Sequence, residues 1–323
     1  MDLSLSPIEP RHGSATSRRL ILFAEQRAAS SDSVLSRREL AAIGIDSHDI
    51  DREVGHGRWT ALGRHSVVTH RGPLTERSMW RHALHEVGSH GALDGVSALR
   101  AAGMAGFEDF TVVSVRHGWQ PVRVPGLVVH ELRDWRDEDV VGAGLRRVRP
   151  SLAAIRAASW ARSHRQAALI LVMTAQQRLT RATDMRAELA RFKRLRRRRL
   201  IQEVLLDVID GVQALGELDF ARECRRRGLP EPSRQALRRG PRGRVYLDVY
   251  WDTYGLVVEI EGAHHDAPLN TVDDALRQNA LTSEGEQVLR IPVIGLRTDR
   301  DRFMAQVEAC LTARGWRRTS TYG

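Results

Sequence analysis

Apolar and polar positions change period several times along this 323-residue chain. Residues 1–18 are polar and include Pro7 and Pro10, so they read as a loose tail, and 20–29 reads as a short helix. Ser36 and Glu39 stand at capping-box spacing and open a helix through Ile43, which Gly44 ends. Asp46 caps a second helix, with Ile45, Ile50 and Val54 as its apolar points. Gly57, Arg58 and Trp59 begin a turn into a strand. Further on, 92–104 is helical with Gly103 as its stop, 110–115 (FTVVSV) and 126–132 (GLVVHEL) are strands, and 150–161 and 165–175 are apolar helices.

The second half follows the same logic. The basic run RFKRLRRRR at 191–199 lies between helical stretches, so one long helix is expected over about 185–211. Ala214, Leu218 and Ala221 form a helix stripe, ended by Gly228, Leu229 and Pro230. Val245–Trp251 alternates and is rich in β-branched and aromatic residues, so it predicts a strand. Asp252, Thr253, Tyr254 and Gly255 have turn composition, and Leu256–Glu261 is the return strand. Thr271 with Asp274 caps a helix through Val272, Leu276 and Ala280; 287–294 is a strand, and Asp299 is the N-cap of a last helix to about Arg314. The order is α-β-β-α-β-α, a mixed sheet flanked by helices.

Composition narrows the partners. Lys and Arg number 50 against 40 Asp and Glu, a net charge of +10, which favours an acidic partner, nucleic acid first. Almost all of this charge is arginine, since Lys193 is the only lysine. Cys224 and Cys310 make no disulfide framework and suit a reducing cytoplasm. The longest apolar run, 167–173, is far shorter than a membrane helix, so no membrane partner is expected. His82 and His85 could share a helix face and bind metal, but without an acid or cysteine at ligand spacing an ordinary surface helix is the simpler reading.

The hairpin carries the chemistry. A four-residue turn sets Trp251 opposite Leu256 and, two by two, Asp248 opposite Glu259, with Glu261 on the face of Glu259. Like charges so placed, with Cβ atoms about 5 Å apart, destabilise a ladder unless something positive lies between them, and a divalent cation is the simplest candidate. The open alternative is an exposed hairpin whose acids splay into water.

An Asp on one strand and an acid-x-third residue on an apolar next strand resembles the PD-(D/E)xK nuclease core. The fuller set resembles a bacterial branch related to the very-short-patch-repair endonucleases: Glu217 on an upstream helix, Leu247-Asp248, VVEIEG at 257–262, His264-His265, Asp274 with Arg277, and Gly285 with Val288, Leu289 and Arg290. This resemblance covers 216–295. It implies an endonuclease that hydrolyses phosphodiester bonds with Mg²⁺ or Mn²⁺ held by Asp248, Glu259 and Glu261. Glu261 stands where the pattern usually has Lys and would be a metal ligand or a base. His264 or His265 would protonate the leaving oxygen or position water, Glu217 would be the helical acid, and Arg277 and Arg290 would contact phosphate or pair with Asp274 and Glu261.

The helix, glycine turn, helix and glycine-aromatic strand after residue 35 resemble the winged helix-turn-helix at the start of AbiEi-type antitoxins of abortive-infection systems. That implies DNA contact by Arg52 and Arg58. The second helix also carries Asp49, Asp51 and Glu53, which oppose phosphate, so docking of a protein stays open beside DNA contact. Arg196, Arg197, Arg198 and Arg199 offer a phosphate-binding face or a solvated linker. The fold class expected is α/β (α+β overall): tail and short helix 1–34, winged helix 35–72, a small antitoxin-like α/β domain 75–185, a basic linker helix 186–213, and a restriction-endonuclease-like domain 214–318. Two functional classes compete with the endonuclease: a non-catalytic DNA-binding antitoxin or regulator with a degenerate nuclease fold, and a protein-interaction module of a defence system.

Overall fold

The computed structural model describes residues 14–119, 124–210, 216–239, 245–261, 272, 275, 276, 279 and 287–318. They form a mixed α/β protein with three sheets. Contacts divide the chain into two compact units, Met1–Ser97 with Glu108–Val148, and Ala98–Phe107 with Arg149–Gly323. The stretch 75–185 is shared between them, its strands in the first unit and its apolar helices in the second.

In the first unit, α1 (Ser14–Ala29) starts earlier than the tail expected for 1–18. Its Ile21, Ala24 and Ala28 share a core with Leu35, Leu40, Ile45, Ile50, Trp59 and Val67. These come from β1 (Val34–Ser36), α2 (Arg37–Ala42), α3 (Ser47–Gly55), β3 (Ser66–Val68) and the turns between elements, with Trp59 just before β2 (Thr60–Leu62). Both predicted caps form. The Glu39 amide donates to Ser36 Oγ at 3.1 Å, the Ser36 amide to Glu39 Oε2 at 2.7 Å, and the Asp49 amide to Asp46 Oδ1 at 2.8 Å. The strands lie antiparallel in the order β1-β3-β2.

The surface helix expected around His82 is a correction. α4 (Glu76–Val87) buries Trp80, His82, Ala83, Glu86 and Val87. The Glu86 carboxylate accepts the amides of Arg64 (3.2 Å) and His65 (2.7 Å) and the Ser66 hydroxyl (3.4 Å), and His82 Nδ1 lies 3.0 Å from that hydroxyl. This close approach needs Gly63, which has φ +56°; a Cβ there would sit 2.8 Å from Glu86 Oε1 and His82 Cε1. His85, beside Arg81, lies 3.6 Å from Glu39. A buried carboxylate therefore binds the β2–β3 turn to α4, and such a group is kept only with its donors in place.

A second sheet completes the unit, with β4 (Gly91–Leu93), β5 (Thr111–Arg116), β6 (Leu127–Leu132), β7 (Val140–Val141) and β8 (Arg147–Val148) in the order β6-β5-β4-β8-β7. The helix expected over 92–104 is shorter. Ala92 and Leu93 pair with β5 instead, and Asp94 ends the strand by accepting the Gly95 amide (2.7 Å) and the Ser114 hydroxyl (2.6 Å) before α5 (Gly95–Ala101) begins.

In the second unit α6 (Pro150–Trp160), α7 (His164–Gln176), α8 (Ala182–Ala190) and α9 (Arg198–Asp210) pack on one another. The long helix expected over 185–211 is broken between α8 and α9. Arg197 adopts φ +60°, a left-handed conformation that interrupts the helix. Two arginines then serve the break: Arg197 Nη1 donates to the Ser159 carbonyl (3.1 Å) and Arg198 Nε to the Phe192 carbonyl (3.0 Å). Close like charges three and four apart also disfavour a continuous helix there.

The chain continues through α10 (Gly216–Arg226), β9 (Arg234–Arg239), β10 (Val245–Trp251), β11 (Leu256–Glu261), β12 (Gln287–Pro292), α11 (Val293–Thr298) and α12 (Arg300–Ala313). The sheet order is β12-β11-β10-β9, antiparallel except for β11 with β12. β9 and α11 are additions to the expected order, and the last strand stops at Pro292. Asp299 does sit at the N-cap position, but its side chain makes no cap bond. Leu247, Val249, Trp251, Val258, Ile260, Leu289 and Ile291 pack against Phe220 and Cys224 of α10 and Phe303, Met304 and Val307 of α12. No helix among the described residues is long and apolar enough to cross a membrane.

The buried histidines make a pH prediction. Burial holds His82 below 6.5, against the pull of Glu86; burial also holds His85 below 6.5, with Arg81 adding to the effect and Glu39 opposing it. A depressed imidazole takes up its proton less readily folded than unfolded, so stability is complete above about 6.5 and declines as pH falls below that value. The thermal midpoint is expected to drop between about pH 7.5 and 5.5, and His82→Gln with His85→Gln should flatten the slope. An identical slope in that double variant would refute the assignment.

Candidate functional site

The apolar face of the β10–β11 hairpin sets the geometry of the other face. Leu247 pairs with Ile260, Val249 with Val258, and Trp251 with Leu256, and all six are buried. The intervening positions must point away from this core, because side chains alternate. Gly255 closes the turn at φ +56°, with its amide donating to the Asp252 carbonyl at 3.2 Å. The register is the one the four-residue turn predicts: Asp248 stands directly opposite Glu259.

The row extends across the sheet as Ala236, Asp248, Glu259 and Arg290, one residue from each strand. Asp248 is fully buried, and its Oδ2 accepts the Tyr250 hydroxyl at 3.2 Å. Glu259 is less enclosed, its side chain 18% exposed, and its Oε2 lies 3.3 Å from Arg290 Nε. Arg290 is half exposed, so this ion pair contributes at most about 1 kcal/mol. Of the expected roles, contact with phosphate or with Glu261, the second falls on a side chain outside the described residues; the described pairing is with Glu259.

Edge strand β12 is held by a residue the sequence pattern did not single out. Asn279, buried, accepts the Arg290 amide at 3.0 Å and donates to the Arg290 carbonyl at 3.0 Å. Its amide nitrogen also lies 3.3 Å from Gln306 Oε1, which ties it to α12. One side chain thus satisfies both main-chain groups on the open edge of the acid row. Its helical neighbours Val272, Ala275 and Leu276 are buried, a spacing that signals a core-facing helix but not the amide bridge.

The remaining predicted residues are distributed as follows. The main chain of Glu261 pairs with Tyr246 and Pro292. Its side chain, that of Glu217, and all of His264, His265, Asp274 and Arg277 lie outside the described residues. Among the described residues, no group of three His, Cys, Asp or Glu side chains is arranged to hold a metal ion, so the described donor set is the pair Asp248 and Glu259.

No family model matches this chain, and no curated protein does. The other predicted contacts are therefore judged by their geometry.

Arg52 and Arg58 both turn to acids. Arg52 lies 2.7 Å from Asp49 and 3.5 Å from Glu53, and Arg58 Nε lies 2.5 Å from Glu53 Oε2. The Arg58 hydrogen bond is the main reason the Glu53 carboxyl sits below its ordinary range. In the basic run, Arg199 pairs with Glu203 at 2.8 Å, and Arg197 and Arg198 serve the main chain as described. Arg196 is exposed.

Asn279→Ala is expected to cost about 2 kcal/mol, because two main-chain groups of Arg290 lose their buried partner. Urea unfolding measures this, and a loss under about 0.5 kcal/mol would show that water replaces the amide without penalty.

Proposed function

We propose that the second unit carries a metal-dependent endonuclease-like domain that hydrolyses phosphodiester bonds of nucleic acid, with DNA as the first substrate to test. The observation behind this reading is the rung that sets buried Asp248 against Glu259. Like charges directly opposed across a ladder destabilise it, and Arg290 stands beside Glu259 on the exposed side. Carboxylate oxygens are the donors that Mg²⁺ and Mn²⁺ prefer, so the pair fits such an ion. The four-stranded mixed sheet with helices on its apolar face supports a restriction-endonuclease-like fold, and α2, α3 and the β1-β3-β2 sheet support a winged helix.

Asp248 and Glu259 would hold the ion, with Glu261 as a third ligand or a base. A bound divalent cation supplies phosphate polarisation and a more acidic water. Asp248, fixed by its burial and by Tyr250, gives the site a rigid wall. Glu259 and Arg290, at the exposed end, would face the phosphate. His264 or His265 would give the proton to the leaving oxygen.

A second reading has an observation of its own. The Glu259–Arg290 ion pair neutralises Glu259 without any cation, as a degenerate nuclease fold in a DNA-binding antitoxin or regulator would allow. The acid-paired Arg52 and Arg58 favour a protein over DNA as partner of the first unit.

Cleavage of single- and double-stranded DNA and RNA with Mg²⁺ or Mn²⁺ decides between the readings. Glu259→Gln should abolish cleavage and change the metal-free unfolding free energy by less than about 1 kcal/mol, since an exposed ion pair is lost while like-charge repulsion is relieved. Arg290→Gln should tighten Mn²⁺ binding about fivefold by removing the competing charge. A wild-type protein that cleaves none of the four substrates leaves the non-catalytic reading.

A further inference from the structure

The basic run at 191–199 divides into two groups. Four of its arginines are committed within the protein. Arg191 lies 2.9 Å from Glu188, Arg197 and Arg198 donate to the Ser159 and Phe192 carbonyls, and Arg199 pairs with Glu203. The other three cations, Lys193, Arg194 and Arg196, are exposed and make no hydrogen bond or ion pair among the described residues.

The acids of the two flanking helices are engaged elsewhere. Side chains are described without a gap over 124–209. Within α8 and α9, Asp184 takes Arg181, Glu188 takes Arg149 and Arg191, Glu203 takes Arg199, and Asp207 takes Arg297. Asp210 ends α9, about 18 Å along the helix axis from Arg198. The turn itself is held in place. Arg197 breaks the helix at φ +60°, a conformation that residues other than glycine adopt at a cost, and its guanidinium and that of Arg198 tie both ends of the turn to carbonyls. Phe192 and Leu195 are half-buried, which leaves the solvent side of the turn to the three cations.

We propose that the α8–α9 turn is a nucleic-acid contact surface, on which Lys193, Arg194 and Arg196 hold the phosphate backbone without reading its sequence. Duplex DNA carries one charge about every 1.7 Å along its axis, so a single short turn can engage neighbouring phosphates with all three cations. A protein interface or a lipid surface would need an apolar anchor as well. The exposed large apolar side chains among the described residues, Leu22, Phe23, Phe110 and Val128, all belong to the first unit and not to the unit that carries this turn. The expected phosphate-binding face at Arg196–Arg199 is thereby moved toward the N-terminal end of the run, onto the cations that the protein does not use itself. The surface rests on nucleic acid as the partner in the function proposed above, and it is independent of cleavage.

The test is fluorescence anisotropy of labelled DNA and RNA duplexes of mixed sequence with the full chain, from about 50 to 200 mM chloride. EDTA is present throughout, so that failure of the endonuclease reading leaves the measurement unchanged. Wild type is expected to bind with a steep log–log salt dependence. The Lys193→Gln, Arg194→Gln, Arg196→Gln variant should flatten that slope by about 2.7 on DNA, at about 0.9 for each lost phosphate contact. Arg194→Lys with Arg196→Lys keeps the charge and should keep the slope. Arg133→Gln with Arg317→Gln removes exposed charge elsewhere and should change the slope by less than about 0.5. An unchanged thermal midpoint shows that the triple variant folds; if it does not, the single variants Arg194→Gln and Arg196→Gln serve, each expected to flatten the slope by about 0.9. An unchanged slope in these variants, an equal loss per charge in the Arg133, Arg317 control, or no binding of either duplex by wild type would overturn the proposal. So would binding of poly-glutamate as tight as that of the duplexes at the same salt, which would assign the turn to an acidic protein.

Discussion

The apolar alternation of one hairpin fixes its register, and the register forces two acids together. A slip of one residue would carry Leu247, Val249 and Trp251 out of the core and Asp248 into it, so the chain cannot move Asp248 away from Glu259 by sliding. The conflict must be resolved by what stands around the rung. On the open side, Arg290 is brought to Glu259 by the parallel pairing of β12 and kept there by Asn279. On the inner side, Asp248 is sealed from water with Tyr250 against it. A buried carboxylate beside a second acid is an expensive arrangement, and expensive polar arrangements cluster where a protein binds or reacts.

The first unit uses a buried acid differently. Glu86 accepts two amides from the turn between β2 and β3 and the Ser66 hydroxyl at the start of β3, and Gly63 makes room for it. This is a structural acid with its partners in place, and removal of any of them would leave charge or amide unsatisfied. On the sheet of the second unit, two carboxylates of adjacent strands stand directly opposite each other.

Much of the hairpin was legible because period-two alternation and a four-residue turn determine register without help from the rest of the chain. The Ser36–Glu39 and Asp46 caps were legible for the same reason, since their physics is local. The rest needed tertiary information. β9 reads RQALRR, whose charges conceal a strand that exists only because β10 offers an edge. The break at Arg197 depends on carbonyls of Ser159 and Phe192, one of them far away in sequence. Ala92 and Leu93 have helical neighbours but are claimed by β5. The Asn279 bridge to Arg290 joins distant segments, and no spacing along the chain announces it. The arginine count raises the expectation of an acidic partner, yet Arg52, Arg58 and Arg199 pair with Asp49, Glu53 and Glu203 inside the protein.

The central claim is that the Asp248–Glu259 rung holds a divalent cation. Electron paramagnetic resonance of Mn²⁺ added to the full chain reads this directly, because free and bound ions have different spectra. The account predicts one protected Mn²⁺ per chain in the wild type and its loss in Asp248→Asn. Equal binding by both proteins, or none by either, would contradict it.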